Sequence, residues 1–271
     1  MRLTMVDSFS VHDIILIYSP SFHLTLDTVT NGEVYNTVIR GSDKGGLDGI
    51  SNIYCNWAGG NAFGSLGAGT NISDITYRNV YAYHYNSMAV VKSNGGSGMV
   101  SNILLENFIR RDNAYSLQLN QYWGKMEEAE GYGIHLHNWT ITKWRGTCKN
   151  GAQRGPITLR CADGAPCTDI KIDDFAIWTD SGDILSNYCQ SAYGTGFCLK
   201  QNIPSSTSYE GIHATEAVTP DNYAALTMAY DIEDSLGYTV PIPIPTIPAS
   251  SFLISHQLDQ FPVAAPERPS S

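Results

Sequence analysis

Short runs of alternating apolar and polar residues recur along the chain, and Asn and Gly separate them. The runs are rich in Val, Ile, Thr and aromatic residues, which is typical of β-strands. Helical periodicity is nearly absent, so the pattern predicts an all-β body. The runs occupy residues 9–17, 34–39, 51–57, 75–81, 102–109, 136–141 and 170–177.

The later runs repeat at nearly constant spacing. Aligning Ile75, Ile103, Leu136 and Ile170 gives steps of 28, 33 and 34 residues, and periods of this size indicate a solenoid or a propeller. Each repeat carries an Asn-Ile or Asp-Ile step followed by a second Asn or Asp, as in Asn102…Asn107 and Asp169…Asp173. We expect these residues at solenoid corners, where Asn tolerates left-handed backbone angles and can stack its amide. A propeller is the structural alternative, but it needs hairpin turns that this sequence scarcely signals.

The sequence divides into a body and a tail. Residues 1–200 carry the repeats, whereas residues 201–222 are rich in Ser, Thr and Pro. Residues 223–236 have Ala, Met and Leu at helical spacing, which predicts one short helix. The Pro-rich stretch at 241–248 cannot form a central strand, so we expect residues 201–271 to form an irregular C-terminal tail that packs on or covers an end of the solenoid.

Charge and hydropathy narrow the possible partners. The formal net charge is -10 with only 16 Lys and Arg residues, which argues against a nucleic-acid partner. No stretch reaches the roughly 20 apolar residues of a membrane span, so we expect no membrane partner. We also expect a monomer in solution. An acidic surface repels an anionic polymer, so such a substrate would require a local basic cleft or acidic conditions.

The cysteines favour an oxidising compartment. Cys161 with Cys167 and Cys189 with Cys198 form two close pairs in the sequence, and we expect both to be disulfides rather than metal ligands. We therefore expect secretion, with the signal segment missing from this chain, and no metal or cofactor. Two sequons, at Asn71 and Asn138, are candidate glycosylation sites.

Four polar features interrupt the strand-like runs and mark a candidate groove. They are Asp48 between glycines, the glycine-rich segment at 59–67, Lys92 after two valines, and Tyr122 in a Gln-Tyr-Trp step. Each also has an ordinary explanation, because Asp between glycines is usual in turns and an outward Lys is usual at a surface.

A series of segments, in order along nearly the whole chain, resembles fungal-type rhamnogalacturonan hydrolases of glycoside hydrolase family 28. The segments are Phe9-Ser-Val-His-Asp-Ile-Ile-Leu, Gly45-Gly-Leu-Asp-Gly-Ile, Ile53-Tyr-Cys-Asn-Trp-Ala-Gly-Gly, Gly64-Ser-Leu-Gly-Ala, Tyr77-Arg-Asn-Val-Tyr, Lys92-Ser-Asn-Gly-Gly-Ser-Gly, Asn113-Ala-Tyr-Ser-Leu and Pro241-Ile-Pro-Ile-Pro-Thr-Ile-Pro. The resemblance implies a single-stranded right-handed parallel β-helix, similar to pectin lyase, and endo-acting, inverting hydrolysis of the galacturonic acid to rhamnose linkage in pectin. Such a reaction uses two carboxyl groups and no metal.

The resemblance also assigns roles to residues. Asp48 matches a water-activating aspartate, Lys92 a lysine that holds a substrate carboxylate, and Tyr122 a site tyrosine. The further substrate-binding candidates are Asn61, Ser65 and Asn94, with Trp57 and Trp123 as groove aromatics. Val91 stands where polygalacturonases carry Arg, which weakens the polygalacturonase alternative.

One departure from the family lies between Ile50 and Ser51. The family continues there through another rung that ends in an acidic pair and a Cys, whereas here the flanking segments are fused. The expected general acid is therefore absent, Cys55 loses its expected partner, and Cys55 and Cys148 are both expected to be free. The spare carboxylates nearest in sequence, Glu106 and Asp112, are not expected to substitute. We expect impaired hydrolysis, with an inactive pectin-binding solenoid or a purely structural or adhesive solenoid as alternatives.

Overall fold

The computed structural model describes residues 1–17, 24–40, 48–49, 54–56, 60–83, 86–93, 95–124, 133–149, 155–179, 184–201 and 211–216. Every regular element in these ranges is a strand. The strands are β1 (Arg2–Ile17), β2 (Thr25–Arg40), β3 (Asp48–Gly49), β4 (Tyr54–Asn56), β5 (Gly60–Leu66), β6 (Thr70–Tyr83), β7 (Ser87–Ser93), β8 (Gly98–Asn113), β9 (Tyr115–Asn120), β10 (His135–Cys148), β11 (Ile157–Arg160), β12 (Cys167–Thr179), β13 (Leu185–Gln190), β14 (Ala192–Thr195) and β15 (Ile212–Glu216).

Two sheets form the body, and from β2 onward successive strands alternate between them. One has eight strands in the order β1-β2-β4-β6-β8-β10-β12-β14, and the other has seven in the order β15-β13-β11-β9-β7-β5-β3. The pairs are parallel, apart from β13 with β15. Since each coil adds one strand to each sheet, the chain is a right-handed parallel β-helix, as the sequence predicted. The propeller alternative is excluded because its blades require antiparallel neighbours.

The structure confirms three of the four residues that were aligned to define the repeat and moves the third by three positions, from Leu136 to Trp139. Ile75 pairs with Ile103, which pairs with Trp139, which pairs with Ile170. The matched steps are 28, 36 and 31 residues. Leu136 instead pairs with Val100, so our choice of Leu136 as the third member was wrong. The shift arose because both residues are apolar and face the core, and sequence spacing alone does not separate them.

Asn and Asp mark the corners of the eight-stranded sheet, as predicted. Asp74, Asn102, Asn138 and Asp169 have φ values of 53–58° and lie at one level of successive strands. Their side chains connect the rungs, because Asn102 Nδ2 donates to Asp74 Oδ1 at 2.8 Å and Asn138 Nδ2 donates to Asn102 Oδ1 at 2.8 Å. These residues therefore supply both the left-handed turn and the contact between coils.

A second corner follows five positions later in β6, β8, β10 and β12. Asn79, Asn107, Lys143 and Asp174 have positive φ, and Asn107 Nδ2 donates to Asn79 Oδ1 at 2.7 Å. The sequence repeat named Asp173 for this corner, but the left-handed residue is Asp174, because the five-residue separation is kept in these four strands.

Large apolar side chains fill the space between the sheets. Trp144 stacks on Phe108 with ring centroids 4.3 Å apart and on Phe175 with centroids 5.6 Å apart, so three successive rungs share one aromatic column. The Trp144 ring nitrogen donates to the Leu105 carbonyl at 3.1 Å, which satisfies its one polar atom in the core.

One charged residue is also buried in this part of the fold. Arg110 is 1% exposed, and it donates from Nε to the Thr147 carbonyl and from Nη2 to the Asn113 carbonyl, while its Nη1 has no hydrogen-bond partner. Burial lowers the pKa of Arg110 to about 10.

The coil at the predicted fusion is abbreviated in the eight-stranded sheet. Its strand β4 has only 3 residues, whereas the neighbouring β2 has 16 and β6 has 14. At one end β4 lies between its neighbours, pairing with Ile39 of β2 and Ala82 of β6 through Cys55. At the other end β2 pairs directly with β6, with Gly32 opposite Ile75. The first corner ladder consequently passes from Asn31 straight to the level of Asp74.

The two predicted disulfides are present, joining Cys161 to Cys167 and Cys189 to Cys198. Cys148 is buried and belongs to neither disulfide, and the side chain of Cys55 lies outside the described residues. Strand β15, which the sequence did not predict, pairs antiparallel with β13, with His213 opposite Tyr188. The predicted helix at 223–236 and the Pro-rich stretch lie outside the described residues.

Candidate functional site

The outward face of the seven-stranded sheet carries a polar row near the carboxyl ends of its strands. Lys92 of β7, Asn120 of β9, Arg160 of β11 and Gln190 of β13 are direct partners in the register, so they form one line across four rungs. Their sequence neighbours Val91, Leu119, Leu159 and Cys189 are buried in the core. Because side chains alternate along a strand, the four polar residues point away from the core. We call these four residues the polar row.

Two aromatic residues that follow β9 lie against the two cations of the polar row. The Lys92 ammonium is 5.5 Å from the centroid of the Trp123 ring, and the Arg160 guanidinium carbon is 5.6 Å from the centroid of the Tyr122 ring. These are cation–π distances. The structure therefore brings the predicted Lys92, Tyr122 and Trp123 together and adds Arg160, which the sequence did not single out.

The backbone that carries both aromatics is held at three points. The Tyr122 amide donates to Asn120 Oδ1 at 2.9 Å, and the Trp123 amide donates to the Ser93 carbonyl at 3.1 Å. Gln121, which directly precedes Tyr122, is almost fully buried and points inward. This arrangement fixes the aromatic pair beside β7 and β9.

Gln121 attaches this segment to the loop closed by the Cys161–Cys167 disulfide. Its Nε2 donates to the carbonyls of Ile134 at 2.8 Å and Ala165 at 2.9 Å, and its Oε1 accepts a hydrogen bond from the Ala162 amide. One buried side chain thus satisfies three backbone groups on two other segments. Since buried backbone groups are costly to leave unpaired, this contact positions the aromatic pair firmly.

Further polar groups surround the polar row. Tyr188 donates from its hydroxyl to Gln190 Oε1 at 3.0 Å, and its ring lies 4.6 Å from the ring of His213. On the strand before the polar row, Gly64 is opposite Lys92 and has a φ of 132°. A Cβ at Gly64 would lie 2.4 Å from the Lys92 carbonyl oxygen, so only glycine fits there.

Asp48, the predicted water-activating residue, lies in the same sheet as Lys92 but at a different level. Its backbone pairs with Gly60 on β5, and Gly60 pairs with Ser87, which begins β7, whereas Lys92 lies near the end of that strand. The side chain of Asp48 lies outside the described part of the structure.

The remaining predicted substrate contacts can be placed only in part. Asn61 and Ser65 belong to β5, in register with β7, but their side chains are outside the described set. Asn94 and Trp57 lie wholly outside the described residues.

The two spare carboxylates considered from sequence belong to the other sheet. Glu106 and Asp112 are on β8. Glu106 accepts from Lys143 Nζ at 2.7 Å and from Arg78 Nε at 2.8 Å, and these bonds hold its pKa below the ordinary value. Glu106 is therefore an ionised partner in a surface ion pair, which is unsuited to protonating a leaving group.

Asp163 is a carboxylate that the sequence did not suggest, and it follows β11 of the seven-stranded sheet. It accepts a hydrogen bond from the Ser191 hydroxyl. Four strand steps separate β11 from the Asp48 strand β3, which at about 4.8 Å a step amounts to roughly 19 Å along the stack. This separation is well above the approximately 6.5–9.5 Å between the carboxyl groups of inverting glycosidases.

The two sequon asparagines are both exposed, but their surroundings differ. Asn71 is near the start of β6, whereas Asn138 belongs to the corner ladder and donates to Asn102. Within the described ranges, no helix is long and apolar enough to cross a membrane, and no group of three His, Cys, Asp or Glu residues is arranged to hold a metal ion.

Sequence reasoning missed Arg160, Asn120 and Gln190. All three are the last residues of short strands and follow an apolar residue, just as Lys92, one residue before the end of β7, follows Val91. The steps Thr158-Leu-Arg and Gln118-Leu-Asn repeat the pattern of Val90-Val-Lys. Aligning those strand ends would have given the polar row. The irregular loops between the strands hid it, because they make the spacing in this sheet uneven.

Comparison with known proteins agrees with this architecture. The sequence profile of Glycosyl hydrolases family 28 matches residues 49–195, which is more than half of the chain. The matched range includes the entire polar row.

Curated relatives cover nearly the whole chain. It is 48% identical to "Rhamnogalacturonase B" of Aspergillus niger over 93% of this chain and 51% of the relative. It is also 48% identical to "Rhamnogalacturonase A" of Aspergillus aculeatus, over 93% of this chain and 64% of the relative. The chain thus spans about half to two thirds of the length of the curated relatives it matches.

The alignment also shows positions that this chain lacks. It extends over 284 positions, whereas 93% of a 271-residue chain is about 252 residues, so roughly 30 positions have no residue opposite them in this chain. That total is the size of one solenoid rung.

Proposed function

Since the chain belongs to glycosyl hydrolase family 28, we propose that it binds the rhamnogalacturonan backbone of pectin and hydrolyses its galacturonic acid to rhamnose linkage as an endo-acting, inverting enzyme. We further propose that the hydrolysis is slow because the acidic pair expected between Ile50 and Ser51 is absent. The names of the relatives, all rhamnogalacturonases, support this substrate.

The observation that carries the proposal is the polar row with its two aromatic residues. Galacturonic acid presents a carboxylate that pairs with Lys or Arg, and Arg offers a planar fork that matches it. Sugar rings also expose apolar C–H faces that pack on aromatic rings. Lys92 and Arg160 supply the cations and Trp123 and Tyr122 the rings, so an acidic polysaccharide fits the chemistry of this face.

In the proposed reaction Asp48 removes a proton from a water molecule, which attacks the anomeric carbon from the face opposite the leaving oxygen. A general acid must protonate that oxygen as the bond breaks. Without such an acid the leaving oxygen takes its proton from solvent water, so the rate is lower by about 10²–10⁴, while the binding contribution of the polar row is retained.

Binding without cleavage is the second candidate function. It is favoured by the arrangement of the described carboxylates, because Glu106 and Asp112 lie on the other sheet and Asp163 lies four strand steps from Asp48. In this case the polar row would still hold pectic fragments.

Release of reducing ends from purified rhamnogalacturonan and homogalacturonan distinguishes these functions. We expect slow release from rhamnogalacturonan, none from homogalacturonan, and loss of the slow release in Asp48→Asn. Binding of rhamnogalacturonan with no release above the level of Asp48→Asn would favour the second candidate, and preferential cleavage of homogalacturonan would contradict the proposed substrate.

We also propose that the protein works outside the cell. The two disulfides support this location, because such bonds persist in oxidising compartments. A net charge of -10 repels a polyanionic substrate at long range, so attraction must come from the cations of the polar row.

A further inference from the structure

The two cations of the polar row are separated by one neutral position. Lys92 pairs with Asn120, and Asn120 pairs with Arg160, so the cations occupy alternate rungs. Two strand steps of about 4.8 Å place their Cα atoms roughly 9–10 Å apart along the solenoid axis. The Asn120 between them is uncharged and largely buried, and its Oδ1 is occupied by the Tyr122 amide.

This spacing has a counterpart in polysaccharide chemistry. Each sugar adds to the length of a linear polysaccharide about the distance that separates neighbouring rungs of the solenoid. Two rungs therefore correspond to two sugars. In a backbone in which uronic acid and neutral sugar alternate, the carboxylates also recur at every second sugar. Lys92 and Arg160 therefore match an alternating polymer laid along the axis.

We propose that Lys92 and Arg160 bind the carboxylates of two successive uronic acids while the neutral sugar between them lies over Asn120, so that the polar row selects a polymer with acid at every second sugar. This inference rests on the proposed function of the same site and adds the origin of its selectivity. A polymer with acid at every sugar places a third carboxylate over neutral Asn120, where it loses water without gaining a cation.

The aromatic pair fixes the geometry on which this selectivity depends. Trp123 lies against Lys92 and Tyr122 against Arg160, and the two rings are consecutive in the chain. Because Gln121 ties that segment to the disulfide loop, the rings and the cations keep a constant relation. Two cations held in fixed positions can therefore discriminate between ligands by the spacing of their carboxylates, whereas two freely moving side chains cannot.

The test is calorimetric titration of the chain with two oligosaccharides, an alternating tetrasaccharide with two uronic acids and an alternating disaccharide with one. We expect Lys92→Gln and Arg160→Gln each to weaken tetrasaccharide binding by about 10- to 100-fold, because each removes one charge-assisted contact. The disaccharide can use either cation, so each single variant should weaken its binding by no more than about twofold, and the double variant by far more.

Two controls exclude general charge and folding effects. Lys171→Gln removes an exposed cation from β12 in the other sheet and should leave both affinities unchanged. Arg160→Lys keeps the charge at the same rung and should retain much of the tetrasaccharide affinity, which a merely misfolded variant would not. A tetrasaccharide with acid at every sugar should bind the wild-type chain several-fold more weakly than the alternating one.

Each other result counts against the inference. If both single variants weaken the disaccharide as much as the tetrasaccharide, the two cations share one carboxylate and the inference is wrong. Unchanged tetrasaccharide affinity in Arg160→Gln, or equal binding of the fully acidic tetrasaccharide, would also overturn it while leaving the proposed function intact. If the wild-type chain binds no rhamnogalacturonan fragment, both proposals fail.

Discussion

The two sheets of this solenoid use the same stacking in opposite ways. In the eight-stranded sheet, equivalent positions of successive rungs carry the same kind of residue, as the first corner ladder of Asp74, Asn102, Asn138 and Asp169 shows. In the seven-stranded sheet, the polar row carries Lys, Asn, Arg and Gln at equivalent positions. Repetition along a ladder thus serves the stability of the stack, whereas variation along a ladder marks a surface suited to a ligand whose charge also varies along its length.

The largest effect should come from the aromatic column under the eight-stranded sheet. Trp144→Ala removes the ring between Phe108 and Phe175 and leaves a cavity in the core, so we expect the free energy of unfolding to fall by about 3–5 kcal/mol. Urea titration followed by circular dichroism measures this loss. A change below 1 kcal/mol would mean that the column contributes little.

The second largest effect should come from Gln121, whose side chain holds the segment after β9 against two other segments. Gln121→Leu keeps the approximate size but leaves the Ala162 amide and two carbonyls unpaired, so we expect a loss of about 2–3 kcal/mol. Affinity for rhamnogalacturonan should fall as well, since Tyr122 and Trp123 lose their anchor. Asn102→Gly on the other sheet is the matched control and should change stability alone. Unaltered binding in Gln121→Leu would show that the aromatic pair is positioned by other contacts.

A smaller effect separates the two roles of the corner asparagines. Asn102→Ala makes the left-handed backbone angle unfavourable and removes two amide hydrogen bonds. We therefore expect the free energy of unfolding to fall by about 1–2 kcal/mol. Asn102→Gly keeps the backbone angle accessible, so its cost should be lower by roughly half. Equal unfolding midpoints of the two variants would show that the backbone angle contributes nothing.

The smallest effect concerns the surface ion pairs of Glu106. In the folded chain the pKa of Glu106 lies below its ordinary value of 4.5, because Lys143 and Arg78 donate hydrogen bonds to it. Its contribution to the free energy of unfolding is therefore complete above pH 4.5 and is lost as the pH falls through the lower pKa of the folded state. For an exposed pair we expect only a few tenths of a kcal/mol. The stability difference between wild type and Glu106→Gln, measured at pH 7 and at pH 3, should shrink at the lower pH and in high salt.

The eight-stranded sheet was largely predictable from the sequence because its strands are long and its corners are marked. The period and the Asn and Asp steps gave the solenoid, with errors confined to Leu136 and Asp173. Of the polar row only Lys92 was predicted, from the interrupted strand-like runs and from the resemblance, together with the adjacent Tyr122. Arg160 ends a strand of 4 residues between irregular loops, where spacing gives no register.

Arg110 shows a different limit of sequence reasoning. A charged residue in an alternating strand predicts an outward side chain, yet Arg110 is buried and bonds to the carbonyls of Thr147 and Asn113. Thr147 lies near the end of β10 and reaches Arg110 only through the pairing of β8 with β10, so no local pattern could indicate this acceptor.

The short strand β4 has a parallel in crystals, where a row of atoms that stops inside the lattice is called an edge dislocation. Rows on either side of such a defect close up beyond its end and regain their order, as β2 and β6 do where Gly32 meets Ile75. The distortion is therefore confined to one place. A solenoid built in this way can gain or lose part of a coil during evolution while every coil farther along keeps its alignment, so that recognition surfaces survive changes in catalytic machinery.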